Sequence, residues 1–329
     1  MKKYQRNSKS RFGAILFALL SVAFSCLLLF AACDDGLTLP EGSGDGYPPS
    51  EWTEGELKVH FLDVGQGDCT LLQLPDGKNI LIDGGDGSSE HNRKIGQYLD
   101  AAGVDKLDYM ILTHSDRDHC GGLESVLEEV SVSCAYLPYA ATLADDETYF
   151  SLYESVVRQV PSLRFSRRYE TICGENGEYF LFFLWPYTDN DGETDSNYNS
   201  AVIWLEYEGL SVLFAGDMTT ETEDMLAAEY ALDPSVFTLG DMEVRLESTE
   251  VLKVAHHGSN TSSGREWLEL LTPEAAVISC GRDNDYGHPS DRVLSDLRAV
   301  SPDGEIYRTD ESGDIVLTSA GGGKYSFFG

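Results

Sequence analysis

The segment from residue 57 to residue 329 predicts an α/β domain, and two observations carry that prediction. Short apolar runs alternate with amphipathic stretches and glycine-rich turns along the whole segment, the pattern of strands crossed by helices. Several of the runs end on Asp or His, so buried strands would deliver chemistry-bearing side chains to one edge. Two such halves follow one another with no visible sequence repeat.

Taken in order, residues 57–75 (LKVHFLDVGQGDCTLLQLP) read as strand, glycine turn and strand. Gly65 and Gly67 lack the third glycine and the following helix of a dinucleotide site, which argues against that reading. Residues 79–87 (NILIDGGDG) form a strand ending at Asp83, where Gly84 and Gly85 allow a sharp turn. A helix is expected from His91 to Ala102 and a buried strand from Leu107 to Leu112. The strand runs into residues 113–122 (THSDRDHCGG), and a helix follows from about Leu123 to Val130. Further on come a short strand at Ala135 to Leu137, a helix near Thr148 to Gln159 and an aromatic strand at residues 179–185 (YFLFFLW). An acidic loop over residues 186–199 precedes a hairpin, AVIWLEYE and LSVLFAG, that turns at Gly209 and brings Asp217 to a strand end. Thr219 or Thr220 caps a helix running to Tyr230. The strand Val251 to Ala255 ends in His256-His257, the strand Ala275 to Ser279 precedes Gly287-His288-Pro289, and residues 306–328 read as closing strands.

The chemistry concentrates in residues 113–122. His114, Asp116, Asp118 and His119 fall within six positions directly after an apolar run. Buried together without a cation, the carboxylates would go unpaired at roughly several kcal/mol each, so the pattern points to a metal. Two adjacent His at a strand end, His256 and His257, offer at least one further ligand. His60 and His91 read as ordinary strand and helix residues.

The string HxDxDH, with Asp116 at the middle position, resembles the HxHxDH signature of the metallo-β-lactamase fold. Together with VGQGD and HHGSNTSS it resembles the metallo-β-lactamase-like domain of the ComEC/Rec2 competence proteins, from Leu57 to the C-terminus. The resemblance implies a four-layer αββα sandwich holding one or two divalent ions. Asp118, His119 and His257 match its second metal position, with Asp217 bridging, and His114 and Asp116 match two ligands of the first. The third ligand, a His before the AVIWL strand in many relatives, is absent; Ser196, Asn197 or Asn199 stands there. The first position should therefore bind more weakly, and oxygen-rich ligation moves preference from zinc towards manganese, with magnesium a lesser candidate. The VGQGD part of the resemblance, residues 64–68, implies that Asp63 and Asp68 lie near the mouth of the site. Asp83 is expected to orient a metal-binding loop. His288, at GHPS where the family has GHPHP, is cast as a general acid or phosphate-binding group. Asp118, Asp83 and His288 are thus the candidate catalytic residues.

Outside the domain, residues 1–33 read as a secretory leader, basic and then apolar from Phe12 to Ala32. Phe30-Ala31-Ala32-Cys33 resembles a lipoprotein processing site, so the catalytic part is expected outside the cytoplasm, tied to the membrane at Cys33 or by an uncleaved helix. Residues 34–56, rich in Gly, Pro and acidic groups, read as a disordered linker. The net charge of −33 falls to −38 without the five basic residues of the leader. Such a surface repels long polyanions and favours a monomer. Arg117, Lys253, Arg265 and Arg282 are the cations near the motifs. The scattered cysteines, Cys69, Cys120, Cys134, Cys173 and Cys280, contain no CxxC pair and read mostly as small buried hydrophobes, with one unassigned disulfide as the alternative. The expected activity is a metal-dependent hydrolase of phosphodiester bonds favouring small or short substrates, with no channel of its own for DNA transport. A competence-type nuclease, a cell-wall phosphorylcholine-type esterase on the same fold and a non-catalytic binder with a decayed site are the alternatives.

Overall fold

The computed structural model describes residues 52–139, 147–187 and 195–329; the expected leader and most of the expected linker lie outside the described residues. Residues 52–56 already belong to the fold. Gly55 N donates to Pro75 O, and Tyr207 Oη donates to Gly55 O, so the linker boundary moves forward from residue 56.

In chain order the first half comprises β1 (Leu57–Phe61), β2 (Thr70–Gln73), β3 (Asn79–Ile82), α1 (Ser89–Ala101), β4 (Lys106–Ile111), α2 (Arg117–Cys120), α3 (Leu123–Glu129), β5 (Ser131–Leu137), α4 (Glu147–Gln159) and β6 (Ser162–Phe165). The second comprises β7 (Thr171–Cys173), β8 (Tyr179–Trp185), β9 (Val202–Tyr207), β10 (Leu210–Phe214), α5 (Thr220–Leu232), the ribbon β11 (Thr238–Leu239) and β12 (Met242–Glu243), β13 (Val251–Lys253), α6 (Arg265–Leu271), β14 (Ala275–Ile278), α7 (Asp291–Val300) and β15 (Glu305–Arg308). After the short α8 (Thr309–Ser312), β16 (Ile315–Ser319) and β17 (Ser326–Phe328) end the chain.

Two large sheets result. The first has the order β17-β16-β1-β2-β3-β4-β5-β6 and the second β15-β14-β13-β10-β9-β8-β7. Each is antiparallel on one side and parallel on the other, the change falling at β3 in the first and β10 in the second. Parallel neighbours require crossovers, and the helices supply them. The expectation of closing strands holds with a refinement: β15 extends the second sheet, while β16 returns to pair with β1.

Three apolar clusters give the layering. One lies between the sheets, with Val59, Phe61, Tyr136, Phe183, Ile203 and Phe214 among its members. A second joins the outer face of the first sheet to α1, α3 and α4 through Leu71, Leu81, Leu99, Val126 and Leu152. A third joins the second sheet to α5, α6 and α7 through Trp204, Leu226, Trp267 and Leu297. This is a mixed α/β sandwich in four layers, as the sequence predicts. Strands covered on both faces read as continuous apolar runs, as β14 does. His60, buried on β1, bonds Tyr98 Oη at 2.9 Å and Gln73 Oε1 at 3.2 Å, the ordinary strand role expected for it. Four of the five described cysteines are buried and all are free, with Cys173 exposed.

Candidate metal centre

The site lies where strands from both parallel halves end. β3 delivers Asp83, the β4 end delivers His114 and the α2 turn, β10 delivers Asp217, and β13 leads to His257. Crevices outside the carboxyl ends of strands are where open α/β sheets collect ligands. The chain is bent hard to do this: Asp83, His256 and His257 take φ values of 60°, 50° and 54°. Left-handed backbone at non-glycine residues costs about 1–3 kcal/mol each and persists where surrounding structure enforces it.

Asp83 is buried and holds the neighbouring loop. Its Oδ1 accepts from Thr113 N at 2.8 Å, and its Oδ2 accepts from Thr113 Oγ1 at 2.8 Å and meets His119 Nδ1 at 2.9 Å. His119 Nε2 is thereby aimed at Asp217 Oδ1, 3.3 Å away. His114 Nε2 lies 3.9 Å from Asp217 Oδ2 and 3.8 Å from Asp116 Oδ2. His257 Nδ1 donates to Ser279 O at 2.9 Å, leaving Nε2 facing Asp118 Oδ2 at 3.2 Å and Asp217 Oδ2 at 3.7 Å. Of the six expected metal residues, His114, Asp118, His119, Asp217 and His257 enter groups whose ligand atoms lie close together, with Asp217 central, while Asp116 stands beside His114 and enters none of them.

Three buried atoms, His114 Nε2, His119 Nε2 and Asp217 Oδ1, have no hydrogen-bond partner, and these three residues form a group whose ligand atoms lie within 4.8 Å of one another. Asp118, His119 and His257 form a second such group. Buried polar atoms are rarely left so, and imidazole with carboxylate is a donor set for a divalent cation. The residues fit the group. The field points the same way. Burial works against a charge on His119 and His257, yet Asp217 with Asp83 raises the first well above its ordinary value, and Asp217 with Asp68 raises the second to about 10. His114 is lowered to about 4 by burial and by His119. Burial would raise Asp217, but His119 and His257 hold it well below the usual carboxylate range.

The place of the missing His is also resolved. Ser196 Oγ donates to Asp116 Oδ1 at 2.5 Å, so the residue standing there steadies a neighbouring carboxylate. Of the adjacent pair, His257 joins the clusters; His256 is partly exposed, with Nε2 3.6 Å from Asp217 Oδ2 and Nδ1 3.2 Å from Thr261 Oγ1. His288 sits at the rim, its ring centroid 5.7 Å from that of His256, with Nδ1 3.4 Å from Gln66 Nε2.

Three expectations are corrected. Asp68 is buried within the site, 3.3 Å from His257 Nδ1, where the mouth was expected. Asp63 faces the other way: its backbone N donates to Asp314 Oδ1 and its carboxylate lies 3.8 Å from Lys94 Nζ. Lys253, read as one of the free cations near the motifs, is only 2% exposed and bonds Asp68 Oδ2 at 2.7 Å across the two sheets. The apolar strand that carries it hid this role. Ser200 was not anticipated; its Oγ accepts from Asp217 N at 2.9 Å and fixes the central carboxylate from below. A lone Ser in a polar loop carries no signal for that.

The comparisons agree with this geometry. The family model described as the metallo-beta-lactamase superfamily matches residues 62–282. ComE operon protein 3 of Bacillus subtilis (strain 168) is 29% identical over 280 residues, covering 80% of this chain and 33% of that protein. Competence protein ComA of Neisseria gonorrhoeae is 28% identical over 319 residues, covering 93% and 40%. Recombination protein 2 of Haemophilus influenzae (strain ATCC 51907 / DSM 11121 / KW20 / Rd) is 30% identical over 247 residues, covering 73% and 26%. The chain thus spans well under half the length of these relatives and matches their metallo-β-lactamase-like part. Since the family match runs through every segment that delivers a side chain to the cluster, the chain belongs to the metallo-beta-lactamase superfamily.

Proposed function

We propose that this metallo-hydrolase-fold protein cleaves phosphodiester bonds of small or short substrates with the help of one or two divalent ions, zinc or manganese before magnesium. The observation that carries the proposal is the convergence of His114 Nε2, His119 Nε2 and Asp217 Oδ1, buried and without hydrogen-bond partners. Similarity to the competence proteins and the oxygen-rich donor set support phosphodiesters over β-lactams.

A divalent cation held by His114, Asp116, Asp118, His119, Asp217 and His257 would supply Lewis-acid charge and bring the pKa of a water towards neutrality. The protein does the rest. Asp83 and Ser279 fix which nitrogens of His119 and His257 face inward. Asp118, partly exposed beside His257, is placed to accept the proton of the attacking water, and His288 at the rim to protonate the departing oxygen or hold the phosphate. One P–O bond forms to water oxygen and one P–O ester bond breaks, giving a monoester and an alcohol.

The test is turnover of bis-p-nitrophenyl phosphate, DNA and p-nitrophenyl phosphorylcholine by the purified protein, with and without EDTA. Turnover of the small diester should fall by orders of magnitude in Asp217→Asn and His257→Ala. Digestion of plasmid or long single-stranded DNA with no small-diester turnover would replace this reading by a nuclease, and activity confined to the choline ester by an esterase. We further propose an extracellular, membrane-tethered monomer acylated at Cys33, which lies outside the described residues; palmitate labelling that persists in Cys33→Ala would overturn that anchor. Among the described residues no helix is long and apolar enough to cross a membrane.

A further inference from the structure

In a chain this acidic, carboxylates claim most cations. Most arginines among the described residues lie within 4.0 Å of one, as Arg168 does with Glu229 and Arg292 with Asp296. Arg93, Arg117 and Arg282 do not; Arg93 and Arg282 line one pocket with Asp63 and Gly65 of the loop Asp63 to Asp68, while Arg117 Nε donates to Asp86 O at 3.1 Å. The others without a carboxylate, Arg158 and Arg298, lie on α4 and α7.

That loop has two sides. On one, Gly67 packs so closely on the metal-loop backbone that a Cβ there would stand 2.5 Å from Asp118 O, and Asp68 reaches His257. On the other, Asp63 and Gly65 line a pocket of about 430 Å3 together with Glu90, Arg93, Lys94 and Arg282. Gln66 joins the two sides, its Oε1 accepting from Gly281 N at 3.1 Å and its Nε2 3.4 Å from His288 Nδ1. Within the pocket Lys94 is neutralised by Asp314 at 2.9 Å and by Asp63. Arg282 spends Nε and Nη2 on the carbonyl of Asp310, which fixes the side chain without neutralising it. Arg93 is exposed and has no carboxylate within 4.0 Å, although Glu90 stands one turn before it on α1. Three cations, Arg93, Lys94 and Arg282, thus balance three carboxylates, Asp63, Asp314 and Glu90, and of the cations only the two guanidinium groups have no carboxylate within 4.0 Å. Planar, always charged and multiply donating, guanidinium is the side chain best suited to phosphate.

We infer that this pocket is a phosphate-binding subsite in which Arg93 and Arg282 hold a second phosphate of the substrate while the first is cleaved at the metal centre. The inference rests on the phosphodiesterase reading and narrows it: the substrate is an oligomeric phosphodiester with at least two phosphates, short enough to tolerate the acidic surface beyond.

The experiment compares kcat/KM for thymidine oligomers carrying one, two and three phosphates, in wild type and in Arg93→Gln/Arg282→Gln. Both residues are at the surface, so the double variant should fold, and its circular dichroism and melting temperature are the control. The ratio of two-phosphate to one-phosphate kcat/KM should drop at least tenfold in the variant, through KM, and in wild type it should shrink as salt rises. An unchanged ratio would overturn the subsite. Binding of a fluorescently labelled trinucleotide in EDTA, followed by anisotropy, separates the two readings: if wild type turns over no diester, the hydrolase reading falls, and equal trinucleotide affinity in both proteins removes the subsite as well. Competition by inorganic phosphate tells a chain phosphate from a free one. Displacement of the trinucleotide at equimolar inorganic phosphate would mean a site for the free anion and would refute the oligomeric substrate.

Discussion

Asp217 is the residue on which the site turns. Its carboxylate faces His114, His119, His256 and His257, and Ser200 holds its backbone from below. Asp118→Ala or His119→Ala should abolish binding of a divalent ion, read by metal analysis of the purified protein; equal metal content in wild type and both variants would refute the assignment. Binding should also be stepwise, because Ser196 supplies a hydroxyl to Asp116 where an imidazole would complete the first position. Two equally tight steps in calorimetric titration would count against it. Lys253 is a different case. Removing one partner of a buried ion pair leaves the other uncompensated, so Lys253→Met should destabilise the fold by about 3–5 kcal/mol in urea denaturation. Adding Asp68→Asn should recover much of that loss. At this scale the sequence was legible wherever residue types clustered: HSDRDH and HHGS announce ligands because no satisfied core holds such neighbours. Ser200 and the Lys253–Asp68 pair were not, since their meaning lies in partners from the other sheet.

Elements place these residues, and α5 shows how one element governs a loop it does not belong to. Glu223 on α5 is buried, and its carboxylate accepts from Ser263 N at 2.5 Å and from Gly264 N at 2.7 Å, pinning the end of the HHGSNTSS segment. Burial raises its pKa to about 7 against those two bonds, with Arg292 opposing the shift and Asp224 adding to it. A raised carboxyl favours the folded state while protonated. Its contribution is full below about pH 4.5, declines as pH rises and is gone above about 7, an amount on the order of 3 kcal/mol. Glu223→Gln should therefore gain on wild type between pH 5 and pH 8; parallel stability profiles would sink the idea. Element types were readable from periodicity, and boundaries less so. α1 begins at Ser89, two residues before the expected start, because the Ser88 side chain accepts from His91 N and caps it. Thr219 caps α5 as one of the two residues proposed for that role. The ribbon β11–β12 is too short for any period to show.

For the whole molecule, charge and topology set the terms. A net −33 repels itself, so moderate salt should raise the melting temperature, and a flat response between 20 and 300 mM KCl would show that the carboxylates are locally compensated. The division into two sheets was legible as two runs of alternating elements. The return of β16 to the first sheet was not, because a closing strand carries no mark of which edge it will join. That return pairs Leu57 with Ser319 and Phe61 with Ile315. The strand that opens the fold thus waits for a partner made more than 250 residues later, and loop closure over such a span must come before the contact rewards it. During synthesis the β1–β3 meander would stand with one edge open until nearly all of the chain has emerged. Folding should then be slow and late, and a nascent chain halted before β16 should stay open to proteases or to any holding factor that covers exposed strand edges.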